Sequence, residues 1–515
     1  MSSQPMRRRR RAQAVVGVTA VAGLLGAGPA MSAVNHTPTA KPVNAVTALS
    51  QATTLAVPGN VMLLQSRTSL LGVHNWYRQM QNGYPVVGGL YARHVETTGA
   101  TTGNVTVWDG RVPVGALAST KATVAAVTAV RSAAAYTNGT PLSFVRPSLW
   151  VLPGVRSHLV WKVTTQFSKD GYGASHVSYV DATTGKVVKS EVESMSDSAE
   201  TTDGVDPARY VDGKARVFDP NPVVKLQDED LRDHNDANSA VPKAGYSTRP
   251  LGHLDAGRNT LVGRWARIVN EKRATSTNFT YSYFRADNAF EQVMGYYSLD
   301  AMESYFQDLG FTDVNAEAQK ISTNSIPDDN SYYSPSQDLI VTGTGGVDDA
   351  EDPEVVWHED GHATQDDQVP GFGRSKEAGA IGEGFGDYMA VTMGQEFSKN
   401  TRLTPTTCVM DWDATSYTSG PKHCLRTTDQ DKMYPDDLTG EVHADGEIWS
   451  QAIYDMNVAL GRNKATTVII EAQFSFNPRI NMPDAARLTV ETANKLYGAQ
   501  AESITRQAFK DRGIL

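Results

Sequence analysis

Two pairs of ionisable side chains constrain this chain most. In Val355-Val-Trp-His-Glu-Asp-Gly-His-Ala363 the imidazoles of His358 and His362 stand four residues apart, and in Ala378-Gly-Ala-Ile-Gly-Glu-Gly-Phe-Gly-Asp-Tyr-Met-Ala390 the carboxylates of Glu383 and Asp387 do the same. On a helix, residues i and i+4 project from one face. Glu383 follows His362 by 21 residues, so the two pairs can act together only if two helices pack side by side. Two imidazoles and one carboxylate make three ligands for a single zinc and leave a fourth position for water. Glu359 lies about 100° round the helix from His358, beside that open position, where a general base is needed. Asp387 is placed to accept the outer N–H of a ligand imidazole. The competing reading of Glu383 and Asp387 is the ordinary preference for acids near a helix N-terminus.

The leader reads Arg7 to Arg11, an apolar run from about Ala12 to Ala27, then small residues to Ala33. This is the pattern of a secretory signal peptide, cut after Ala30 or Ala33, and the run is shorter than the roughly 20 residues of a membrane span. The expectation is export, with no membrane association after cleavage. At 515 residues, 40% hydrophobic and 20% charged, the chain can bury several cores, which excludes disorder, collagen and coiled coil. Its 2 cysteines exclude a disulfide scaffold and a multi-cysteine zinc ribbon. Export makes a Cys408–Cys424 bridge plausible, worth roughly 3 kcal/mol for a loop of that size; the alternative is two free thiols. The net charge of -10 argues against nucleic acid as a partner. That total hides a split: residues 1–200 carry 18 basic against 8 acidic side chains, and residues 201–515 carry 29 against 49.

Residues 34–58 read as a polar linker. From 59 to 195 the chain alternates in the β manner between turn dipeptides such as Asn82-Gly83, Asp109-Gly110 and Thr184-Gly185, predicting small antiparallel sheets. An Ala- and Val-rich helix capped by Ser119 divides them into modules 59–115 and 116–195. Residues 196–206 form a Ser-, Asp- and Thr-rich linker where a maturation cut is expected. Beyond it lie a mixed segment, 207–367, with an aromatic-rich helix over Ala286–Leu309, and a segment 368–515. From Ile321 to Gly373 there are 12 acids and no Lys or Arg. That stretch reads as a solvated acidic face, as calcium sites, or as a negative field around a cleft.

His358-Glu359-x-x-His362 followed by Gly382-Glu383-Gly-Phe-Gly-Asp387 resembles the thermolysin and fungalysin metallopeptidases. Weaker matches follow in order. Asp329-Asn-Ser-Tyr-Tyr333 resembles the family's substrate-holding edge strand, which implies Asn330 as a substrate contact. Cys424-Leu-Arg-Thr-Thr428 resembles the segment of a carbonyl-binding arginine, implying Arg426. Glu441-Val-His-Ala-Asp-Gly-Glu-Ile-Trp449 resembles the segment of a transition-state histidine, implying His443. Trp76-Tyr77 with Asn82-Gly-Tyr-Pro-Val-Val-Gly-Gly89 resembles the family's propeptide, and Leu159-Val-Trp-Lys-Val163 with Tyr179-Val-Asp-Ala182 resembles the PepSY inhibitory module.

The resemblance implies an α+β fold: a two-lobed thermolysin-like catalytic region, with a mixed α/β lobe over 207–367 and a mostly helical lobe over 368–515, preceded by small antiparallel-sheet propeptide modules. It implies a secreted zinc endopeptidase acting on polypeptides and made as a precursor that its own pro region chaperones and inhibits. Without the leader arginines that region is near +5 and faces an acidic remainder, so the two should attract. Two departures stand out. Val369-Pro-Gly-Phe-Gly373 lies where the family has an oxyanion-stabilising tyrosine, and Gly394 falls where a calcium-binding acid is expected, so calcium is left without placed ligands. The rival readings are an inactive zinc-holding adhesion protein and a zinc aminopeptidase or esterase.

Overall fold

The computed structural model describes residues 56–141, 146–166, 175–192, 209–396, 398–419 and 422–515. The signal segment, nearly all of the 34–58 linker and the 196–206 linker lie outside them. No helix among the described residues is long and apolar enough to cross a membrane.

The first part is a sheet of ten strands, not separate small sheets. Hairpin pairings run through Val61–Thr68, Gly72–Gln81 and Tyr84–Glu96, and again through Ser148–Leu152, Arg156–Gln166, Ser175–Asp181 and Val187–Val192. A parallel contact of Val86 with Val151 joins the two groups. Local alternation predicts each hairpin, but only burial of the Val86 and Val151 side chains selects the pairing between them. Helix α1 (Ala126–Thr137) starts later than expected, because Ser119 does not cap it. The Ser119 hydroxyl instead closes a local turn, donating to the Lys121 carbonyl at 2.9 Å and accepting the Lys121 N–H at 3.2 Å.

The next part holds two small sheets and helices α2 (Pro222–Leu226) and α3 (Ala289–Asp308). One sheet orders Ala266–Ile268, Gln319–Ile326, Leu339–Gly343 and Tyr332–Ser334, with Tyr332–Ser334 as its antiparallel edge. Helices α4 (Pro353–Gln368), α5 (Lys376–Gly394), α6 (Val442–Leu460), α7 (Arg462–Gln473), α8 (Met482–Tyr497) and α9 (Ala499–Asp511) follow. The α+β fold, with mixed sheets followed by a helical C-terminal part, is the one expected. Helix α4 serves both lobes: Val356 and Ala363 sit in the core of the first, Val355 and Trp357 in that of the second.

The acidic stretch 321–373 is not a solvated face. Asp349, Glu351, Asp352, Glu354, Glu359, Asp360 and Asp366 are all buried.

The first sheet docks on the helical lobe through apolar burial and hydrogen bonds. Trp76, Leu90 and Ala92 join the core of α5 to α9, and the Trp76 indole N–H donates to the Gln368 carbonyl at 3.0 Å. Glu471 of α7 accepts the Ser69 hydroxyl at 2.7 Å and the Leu70 N–H at 2.9 Å. Charge pairs also cross this contact: Arg67 with Asp367 and Asp313, and Lys495 with Glu96 in the opposite sense.

Two histidines lie at this contact. His74 stacks on Phe474 at 4.6 Å, and its Nδ1 is 2.9 Å from Nδ1 of His94. Burial holds both imidazoles neutral, His74 well below its usual range and His94 at about 4, and the neighbouring His94 adds to the cost of charging His74. A histidine pKa lowered on folding gives stability above the unfolded pKa near 6.5 that is lost as pH falls toward the folded value. Glu471 and Asp313, both raised by burial, act in the opposite direction at the same contact. The pair's own contribution is therefore expected to be lost between about pH 6.5 and pH 4, so that the thermal midpoint of His94→Gln gains relative to the unmodified chain as pH falls through that window. An unchanged slope in that variant would count against the histidine pair as its origin.

Candidate active site

Each helix that carries the site is started by a side chain suited to the task. Asp352 caps α4 by accepting the Glu354 N–H at 3.1 Å, with Pro353 in the first turn. Ser375 caps α5 through the Ala378 N–H at 3.1 Å. Glu441 caps α6 by accepting the N–H of His443 at 3.1 Å and of Ala444 at 2.8 Å. The same Glu441 carboxylate lies 2.7 Å from His443 Nδ1, so one residue both starts the helix and orients the imidazole.

Glycines let these helices approach closely. A Cβ on Gly386 would stand 2.7 Å from Nδ1 of the His358 ring, and one on Gly384 would stand 2.5 Å from the Gly446 carbonyl. A mid-helix glycine costs about 1 kcal/mol relative to alanine, and here it leaves space for a ligand imidazole and for the α5–α6 crossing.

The structure brings His358, His362 and Glu383 together, each offering a donor atom within 4.8 Å of the others. His358 Nε2 is 3.2 Å from Glu383 Oε2, and His362 Nε2 is 3.7 Å from Glu383 Oε1. Asp387 Oδ1 is 3.0 Å from His358 Nδ1. Arg426 holds that aspartate from its other side, donating from Nε and Nη2 at 2.7 Å each. His443 Nε2 stands 3.4 Å from Glu383 Oε2. Glu359 is 7% exposed on α4, and the Tyr333 main-chain N–H of the edge strand donates to it. Asn330 is exposed, two residues ahead of that strand. Arg426 sits on a two-residue strand paired with Cys408–Val409, and a disulfide joins Cys408 to Cys424.

Several groups here are displaced from their ordinary acidity. Burial pushes Glu359 up to about 7, and the Glu383 charge adds to it. Burial would lower His358, but hydrogen bonds and charge from Asp387 and Glu383 outweigh it and hold this imidazole up at about 10. Burial brings His362 down to about 4. Glu383 is held well below the usual carboxylate range: burial opposes this, and the histidines 443, 362 and 358 prevail.

The residues fit a zinc ion. The donor set is two imidazoles and one carboxylate, and Glu383 Oε2 is buried without a well-directed hydrogen bond. A proton held on His358 between two carboxylates marks the place where a cation is favoured.

The Tyr333 hydroxyl of the edge strand is engaged away from the site. The buried Tyr333 hydroxyl donates to Asp338 at 3.3 Å. Phe372, in the departing segment, is core. Sequence reasoning missed Glu441 and the Tyr333 N–H. Glu441 stood within the quoted His443 segment, where an acid immediately ahead of a helix was a legible cap signal.

Comparison with known proteins adds a family. Residues 371–514 match the thermolysin metallopeptidase alpha-helical domain. The matched stretch contains Glu383, Asp387, Arg426 and His443, and begins nine residues after His362. Comparison with curated proteins finds no match. Among solved structures, the precursor of protealysin, a metalloproteinase from Serratia proteamaculans, aligns at 16% identity and a TM-score of 0.37, covering 49% of this chain and 90% of that one. The Bacillus megaterium YpeB C-terminal domain aligns at 10% identity and a TM-score of 0.17, covering 26% and 57%. Residues 371–514 are thus similar to the alpha-helical domain of the thermolysin metallopeptidases.

Proposed function

We propose that the chain is an exported zinc endopeptidase, made as a precursor whose residues 34 to about 200 assist folding and restrain activity. The convergence of His358, His362 and Glu383 beside a buried Glu359 carries this reading. His358, His362 and Glu383 hold the zinc, which when bound lowers the pKa of water toward about 7 and polarises a carbonyl. Glu359 takes a proton from the attacking water and passes it to the departing amine. An acidity near neutrality suits both halves of that exchange.

His443, kept in place by Glu441, donates toward the oxygen that becomes negative as the carbonyl turns tetrahedral. Arg426 spends the Nε N–H and one Nη2 N–H on Asp387, which leaves its Nη1 N–H groups and the second Nη2 N–H for a substrate carbonyl. Asn330 and the outer edge of the Tyr332–Ser334 strand, on the side away from Leu339–Gly343, align the peptide backbone. Restraint by the pro region is supported by a contact of Ser175 with Gln337, close to that edge, at 3.2 Å.

Casein digestion by the matured chain tests the reading. Internal cleavages are expected, abolished by 1,10-phenanthroline and restored by zinc. Cleavage confined to chain ends would identify an aminopeptidase. A folded, zinc-holding chain that cuts nothing would favour the adhesion reading, to which the absent tyrosine already points.

A further inference from the structure

We infer that the Cys408–Cys424 disulfide is a positioning element of the metal site, acting on His358 through Arg426 and Asp387. This rests on zinc being held by His358, His362 and Glu383 as proposed above. The bridge fastens together the two halves of a very short hairpin: Cys408 stands opposite Thr427, and Val409 opposite Arg426. Arg426 follows Cys424 by two residues. Its Nε and Nη2 donate to Asp387 at 2.7 Å each, and Asp387 Oδ1 is 3.0 Å from Nδ1 of His358. Sulfur and metal ligand are thus joined by one residue of backbone, one guanidinium and one carboxylate.

The two halves are held differently. Cys408 is buried, and Val409 and Met410 lie in the core of the helical lobe. The Met410 N–H donates at 2.5 Å to Glu354 in the first turn of α4, so this half is fixed to the helix that carries His358. Residues Cys424 to Thr427 are only half-buried. Ahead of them the His423 N–H donates to Glu229 at 2.9 Å. Across the hairpin, the Leu425 N–H donates to the Val409 carbonyl at 3.0 Å and the Thr428 N–H to the Thr407 carbonyl at 2.9 Å. A ladder of two residues is marginal in water by its hydrogen bonds alone. The crosslink, spanning a separation of 16 residues, restricts how far the Arg426 half can leave, an entropic hold on the order of 100-fold in population.

Asp387 is 1% exposed and is paired with both Arg426 and His358. A buried carboxylate that loses its guanidinium is costly to keep in place. Its contact with Nδ1 fixes the His358 ring and leaves Nε2 for the metal, and loss of such an orienting group typically weakens metal binding 10- to 100-fold. Freedom gained at Cys424 is therefore passed to Arg426, to Asp387 and to the ligand. A dithiol is the reagent that opens the bridge. One thiolate attacks Sγ of the more accessible Cys424, and Cys408 leaves as a thiolate that takes up a proton. The second thiol of the reagent then displaces Cys424, which is protonated in turn. The reagent departs as a cyclic disulfide, having given two electrons and two protons to the cysteines.

The test uses the zinc-loaded full chain carrying Glu359→Gln, which limits self-cleavage and makes the readout independent of hydrolysis. Zinc affinity is measured by competition with 4-(2-pyridylazo)resorcinol. Adding Cys408→Ala with Cys424→Ala is expected to lower that affinity by about 10-fold or more. Should this variant not fold, the folded chain is reduced with dithiothreitol, freed of reagent by gel filtration without oxygen and measured in the same way, with the same loss expected. The deciding comparison repeats both measurements in a chain that also carries Arg426→Ala. There the zinc is already weakly held, and opening the bridge is expected to change its affinity less than about twofold, because the two act through one path. Zinc affinity unchanged by opening the bridge overturns the inference even if the thermal midpoint falls, since the bridge would then be a plain crosslink. An equal loss with and without Arg426 overturns the path through that residue. No zinc on the bridged chain would instead remove the zinc reading of the site, and this inference with it.

Discussion

Replacing Glu359 by glutamine is expected to leave zinc bound and to slow peptide hydrolysis by about 10²- to 10⁴-fold. The geometry around the residue makes the comparison clean. Glu359 is buried on α4 between the two histidines, and Tyr333 donates its N–H to the carboxyl. Glutamine has the same shape and keeps an acceptor for that N–H, so α4 and the edge strand have no reason to move. His358, His362 and Glu383 are untouched. What is removed is the capacity to accept a proton. Measuring kcat on an internally quenched peptide and metal content on the same sample separates the two functions. A variant with full zinc and more than about a tenth of the wild-type rate would refute the general-base role.

A chain beginning near residue 207, made without the pro region, is expected to refold poorly and to recover when residues 34–200 are supplied separately. Trp76 is fully buried, and Leu90 nearly so, within the core that α5 to α9 build. Uncovering that surface exposes apolar area worth roughly 1.5–3 kcal/mol for each large side chain. It also strips Glu471 of the Ser69 and Leu70 donors. The supplied segment should restore folding and then suppress casein cleavage until it is degraded. Equal refolding yield and activity with and without it would remove both the chaperone and the inhibitor roles.

The helices carrying His358, His362 and Glu383 were readable from spacing, because i and i+4 pairs on a helix share a face whatever surrounds them. Hairpins were readable for the same kind of local reason. Ser119 was misread, since a serine before an apolar run caps a helix only if the backbone continues helically, and here it closed a turn. The acidic stretch was open to three readings because charge density carries no information about burial. Glu441 was overlooked although its position was informative, and the Tyr333 N–H could not be found at all, since backbone groups have no sequence signature.

By itself the sequence determined the donor chemistry: two imidazoles and a carboxylate at helical spacing, a base beside them, and two cysteines for one bridge. Tertiary structure decided what those donors meet. The crossing of α4 and α5 at Gly386 brings Glu383 to the histidines. The Asp387–Arg426 fork holds His358. Local spacing is a property of the backbone helix, whereas convergence of distant side chains depends on which cores are buried against one another, and only the folded chain records that.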